Sequence, residues 1–97
     1  MTRDEAIARL KKSEHVLKNA GVKHLYLFGS TVRGEARPDS DVDLFFDHDI
    51  GAIGLYELMD IKEMTRSILG TRTDMIPRGG LHRIMRPSIE DSAIQVF

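Results

Sequence analysis

Three short apolar runs, set apart by turn residues or by segments of helical period, constrain this chain more than any other feature. His24–Phe28 ends abruptly at Gly29-Ser30, Asp41–Phe46 gives way to the loop Asp47–Gly54, and Arg72–Ile76 is stopped by Pro77. Runs this short, rich in aliphatic and aromatic side chains, read as buried strands, and a proline cannot continue a paired one. Helical patterns lie around them. Thr2-Arg3-Asp4-Glu5 fits a capping box. Ile7, Leu10 and Leu17, with Ala6 and Ala20, then keep to one face as far as Gly21, a natural stop. Leu55, Leu58, Met59, Thr65, Ile68 and Leu69 mark one face of a second long helix, closed by Gly70. Thr31–Ser40 is a turn-rich connection with room for one helical turn, and Arg78-Gly79-Gly80 is a loop. Pro87 suits the first turn of a last short helix through about Ala93, leaving Ile94–Phe97 as an apolar tail. This order predicts an α/β (α+β) fold, a small mixed sheet of three to four strands with helices packed on it. At 97 residues the expectation is one domain spanning 1–97.

Charge and composition narrow the function. A formal net charge of −1 lacks the basic surplus of a duplex-binding module, so direct nucleic-acid binding is disfavoured. The absence of cysteine excludes disulfides and thiolate metal sites. No apolar run approaches the ~18–20 residues of a membrane span, and Met1–Glu5 leads directly into a charged helical pattern without an apolar leader core. The expected location is cytoplasmic.

The chemistry-bearing residues fall between Leu27 and Phe46 and again at Asp74. Side chains at i and i+2 of a strand share a face. Asp41 and Asp43 therefore stand together, while Val42 and Leu44 turn toward the core. Adjacent carboxylates repel, which raises a pKa or requires a cation between them. Oxygen ligands of this kind select magnesium or manganese over zinc. If the strand of Asp74 lies beside that of Asp43, three carboxylates converge, a set suited to two metal ions and in-line phosphoryl chemistry. Asp41, Asp43 and Asp74 are thus the candidate catalytic and metal-ligating residues. Gly29 lets backbone approach a phosphate closely, and a helical turn beginning at Ser30 offers amides, a dipole and a hydroxyl to the anion. Arg33 joins Gly29 and Ser30 as a candidate nucleotide-binding residue. Arg33 and Arg37 read first as surface pairs for Glu35 and Asp39, and either one can also steady a leaving group.

Together, Gly29-Ser30, Asp41-x-Asp43 and Asp74 resemble the signature of the polymerase-β-like nucleotidyltransferase superfamily. Ser30-x-x-Arg33-Gly34, Arg37-Pro38-Asp39-Ser40-Asp41 and Gly79-Gly80-Leu81 resemble its minimal branch, the MNT domains. The resemblance covers essentially the whole chain. It implies that Asp41, Asp43 and Asp74 hold metal, that Gly29 and Ser30 hold the triphosphate, and that ATP is the donor. Minimal proteins of this kind pair with a HEPN-domain ribonuclease toxin as its antitoxin and transfer AMP to a tyrosine near the toxin's active site. The same partner is implied here. A protein acceptor suits a small domain with little surface to enclose a substrate, because the partner supplies binding energy along with the nucleophile.

Two other functions stay open at this level. A binding-only antitoxin would need neither Ser30 nor three aspartates, and a nucleotidyltransferase acting on a small molecule would need a pocket, for instance one built by a homodimer. Blander roles exist for single residues as well. Asp41 and Asp43 can guard an exposed strand edge, and Ser30 can simply cap a helix. His48, between Asp47 and Asp49, reads as part of a solvated acidic loop, and His15, His24 and His82 have no spacing that makes a site. Met59, Met64, Met75 and Met85 read as core filler or partner surface.

Overall fold

The computed structural model describes residues 1–37 and 39–97; Pro38, the second residue of the Arg37–Asp41 motif, lies outside the described residues. The elements run α1 (Arg3–Lys12), α2 (Glu14–Asn19), β1 (His24–Phe28), α3 (Ser30–Arg33), β2 (Val42–Asp47), α4 (Leu55–Leu69), β3 (Thr73–Pro77), a 3-10 turn (Arg78–Gly80), α5 (Arg86–Ser92) and β4 (Ile94–Gln95). The sheet is mixed, in the order β3-β2-β1-β4. β1 pairs antiparallel with β2 and β4, and β2 pairs parallel with β3. A parallel pair needs a crossover, which α4 provides. The α/β expectation holds.

Alternation along the strands sorts the side chains. Leu25, Leu27, Val42, Leu44, Phe46 and Met75 turn to one face and bury with Ala6, Leu10, Leu17, Ile61 and Leu69 of α1, α2 and α4. That face is the main core. Arg9 reaches from α1 to donate to the Leu69 carbonyl at 2.7 Å, satisfying one of the last carbonyls of α4. This clasp fixes the corner from which the chain enters β3.

Two differences from the sequence-based expectation have local causes. The first helix is broken at Ser13, which adopts φ −103° and ψ 14° and ends α1 with its amide bonded to Leu10. The apolar stripe continues across the break, so periodicity alone does not reveal it. α2 then ends in a Schellman motif, with Gly21 donating to the Lys18 carbonyl and Val22 to that of Leu17. Gly21 stands at φ 112°. The second difference is at the C-terminal end, where Ile94–Phe97 is more than an apolar tail. Ile94 and Gln95 pair with Leu27 and Tyr26, and Leu25 donates to the Phe97 carbonyl at 3.0 Å. The partner strand is far away in sequence, so no local pattern signals the pairing. Among the described residues, no helix is long and apolar enough to cross a membrane.

Candidate active site

The site grows from the register of β2. Asp43 is paired across the sheet with Phe28 on β1 and with Asp74 on β3. Asp43 and Asp74 thus form a cross-strand rung of like charge, normally an unfavourable arrangement. Asp41 lies two residues before Asp43, on the same side of the pleat. Val42 and Leu44 are buried on the opposite side, as the alternation requires. Desolvation, then the Asp74 and Asp41 carboxylates, push the Asp43 carboxyl above its ordinary value, while Arg33 pulls it back.

Gly29 is forced on this site by contact as well as by torsion. Its φ of 80° and ψ of −153° fall where essentially only glycine is found. A Cβ there would stand 3.1 Å from Cγ of Asp43 and closer still to its Oδ2. The turn after β1 therefore lies directly against the Asp43 carboxylate, and any larger residue would push the two apart. Ser30 opens the single helical turn α3, which ends at Gly34 in the left-handed conformation. Gly29, Ser30, Asp43 and Asp74 follow one another across the open end of the sheet.

The remaining expected residues are placed less simply. Arg33 pairs with Glu35, Nε to Oε2 at 3.1 Å, which is the surface pair that sequence allowed; its charge is nonetheless felt at Asp43. Asp41 is engaged by Arg72, Nε to Oδ1 at 3.1 Å. The three aspartates share a face but do not close on one point, and among the described residues no three acidic or histidine side chains do. Asp74 and Asp41 both lie near enough to Asp43 for their charges to raise its carboxyl. His48 faces Asp49 and leans on the Phe46 ring, as a loop residue would.

Sequence reasoning missed the arginines at the two ends of β3. Arg72 and Arg66 line a cavity of about 260 Å³ together with Asp41 and Thr73. At the other end of β3, Arg78 donates to both Asp47 oxygens, at 2.7 and 3.0 Å, and to Glu90 at 2.6 Å. Its guanidinium also lies over the Tyr26 and Phe45 rings, 4.8 and 5.1 Å from their centroids. A signal for both was present. Once Asp43 is set opposite Asp74, the same offset of 31 residues links Asp47 to Arg78 and places Arg72 beside Asp41.

Comparison with known proteins gives the family. The chain matches the nucleotidyltransferase domain family over residues 10–96. It is 35% identical over 77 residues to the protein adenylyltransferase MntA of Thermococcus cleftensis, covering 79% of this chain and 76% of that one. A solved structure assigned as a minimal nucleotidyltransferase superposes with a TM-score of 0.83 at 31% identity, covering 97% and 95% of the two chains. A solved complex of tri-AMPylated Shewanella oneidensis HEPN toxin with its MNT antitoxin shares the fold, with a TM-score of 0.69 at 14% identity, covering 95% of this chain and 71% of that one. The chain belongs to the nucleotidyltransferase domain family. It is an enzyme of that class, and the fold and the relatives agree on its minimal form.

Proposed function

We propose that this chain transfers AMP from ATP to a hydroxyl on a partner protein, and that the partner is a HEPN-type toxin for which it serves as antitoxin. The carrying observation is the meeting of the Gly29 turn, Asp43 and Asp74 at one open end of the sheet. The MntA relative, named a protein adenylyltransferase, supports the choice of chemistry, and the AMPylated HEPN toxin bound to an MNT antitoxin of the same fold supports the choice of acceptor. In this reading residues 1–97 are one minimal catalytic domain working in the cytoplasm.

Gly29 and the amides opening at Ser30 receive the triphosphate, with the Ser30 hydroxyl donating to a phosphate oxygen. Arg33 adds positive charge on that side. Asp41, Asp43 and Asp74 would hold magnesium or manganese, in two ions. Their all-oxygen donor set fits a hard divalent cation, and the raised Asp43 carboxyl marks a site short of positive charge. Such ions, when bound, neutralise the triphosphate and favour ionisation of the acceptor hydroxyl. Asp74, on the side of Asp43 away from Gly29, takes the acceptor proton. The acceptor oxygen then bonds to the α-phosphorus, the bond from that phosphorus to the β-bridging oxygen breaks, and pyrophosphate departs with the electron pair.

The test is incubation with α-labelled ATP, magnesium and the product of the neighbouring gene, followed by intact-mass analysis of both proteins. The expected result is a gain of whole AMP units on the partner, lost when Asp41→Asn and Asp43→Asn are combined. A tight complex without mass gain would replace the reading with a binding-only antitoxin. Label transferred to a small molecule would replace the acceptor.

A further inference from the structure

β2 and β3 share one sheet face that ends in an Asp–Arg pair at either extreme, with the Asp43–Asp74 rung between them. The two arginines differ in how firmly they are held. Arg78 is 27% exposed, chelates Asp47 through two nitrogens, adds Glu90, and is pressed on two aromatic rings. Arg72 is 74% exposed and stands 3.1 Å from Asp41, Nε to Oδ1. Its backbone, by contrast, is fixed, since the Arg72 carbonyl accepts from the Val42 amide at 3.0 Å. The stem of Arg72 is therefore anchored beside Asp41 while its head is free to leave. An open groove of about 260 Å³, lined by Asp41, Arg66, Arg72 and Thr73, lies alongside, so no packed neighbour holds the head in place.

We infer that Arg72 is an exchangeable counter-ion, a positioning residue that occupies Asp41 in the free protein and yields it when a divalent cation enters. This rests on the reading of Asp41, Asp43 and Asp74 as the cation site. A like-charged rung beside a third carboxylate repels itself, and a guanidinium on the outermost carboxylate relieves part of that repulsion without entering the rung. The same guanidinium competes with the incoming cation, both for the Asp41 oxygens and through its charge. Metal affinity in the free protein is thereby held down. Exchange costs little, because an exposed ion pair is weak. Arg78 cannot act this way, since leaving would strand Asp47, give up Glu90 and uncover two rings.

The experiment is manganese binding to the whole chain without nucleotide, followed by electron paramagnetic resonance of the free ion. Arg72→Gln is expected to tighten binding by about three- to five-fold at low salt, the scale of an exposed pair, with the difference shrinking as added salt screens the charge. Arg72→Lys keeps the charge and stays close to the parent. Unchanged or weaker binding in Arg72→Gln overturns the inference, the weaker result making Arg72 a holder of Asp41 in its ligating position. Asp43→Asn separates the two levels. If that variant binds manganese as the parent does, or if no chain binds it, the cation-site reading fails first. Melting curves of each variant exclude loss of fold as the cause.

Discussion

Asp43 and Asp47 stand on the same face of one strand, yet the protein treats them in opposite ways. Asp47 is chelated by Arg78, which is also tied to Glu90 and laid over Tyr26 and Phe45. Asp43 is set against a glycine on one side and opposite a second carboxylate on the other. The first arrangement binds the segment after β3 and helix α5 to the sheet. The second contributes nothing to cohesion, since burial and neighbouring charge oppose the ionised form. Charge placement along β2 thus divides into one end that holds the fold and one end, proposed above for catalysis, that does not.

The largest expected effect comes from breaking the cohesive end. Arg78→Ala leaves Asp47 half-buried without its cation, leaves Glu90 with Arg86 alone and uncovers two rings, and should cost about 2–4 kcal/mol. Thermal unfolding is expected to move down by ~8–32 °C, given roughly 4–8 °C per kcal/mol for a domain this small. Adding Asp47→Asn should recover part of the loss, because it removes one stranded charge. By contrast Arg72→Gln, at the exposed rung, should shift stability by less than ~1 kcal/mol. Equal losses at Arg72 and Arg78 would erase the distinction between the two ends.

A smaller effect is expected at the turn. Gly29→Ala forces a side chain into a glycine-only backbone region and against Asp43, at a cost of about 1–3 kcal/mol. Gly79→Ala is the matched control, because its added Cβ meets nothing within 4 Å. Urea titration of both is expected to show the loss at Gly29 only. AMP transfer should fall in the Gly29 variant well beyond any fraction unfolded, since the displaced group is Asp43 itself.

Much of this site is legible in the amino-acid order alone. Strand alternation places Asp41 and Asp43 on a shared face, and the Gly29-Ser30 stop marks where the first strand ends. Both are local rules, readable within a few residues. What escapes them depends on distant partners. β4 exists because Ile94 and Gln95 find the free edge of β1, and nothing in that short run announces it. Arg72 and Arg78 acquire their roles only once β2 and β3 are set in parallel register. The break at Ser13 is hidden for another reason, as the buried face is continuous through Leu10 and Leu17 on either side of it.

The smallest effect on stability is also the most diagnostic. Raised above its ordinary value of 3.8, the Asp43 carboxyl binds its proton more tightly in the folded protein than in the unfolded chain. Its ionisation therefore costs stability as pH rises through the interval above 3.8, and that cost is complete once pH exceeds the folded value. Asp43→Asn removes it at neutral pH and changes nothing in acid, where both states are protonated. The central claim is that the Asp43–Asp74 rung is kept for chemistry at the expense of stability. Its most direct test is one preparation of Asp43→Asn, melted in chelator at neutral and acid pH and assayed for AMP transfer. The expected result is a melting temperature higher by ~2–6 °C at neutral pH, no gain in acid, and no transfer. A lowered melting temperature at neutral pH, or transfer at the parental rate, would contradict it.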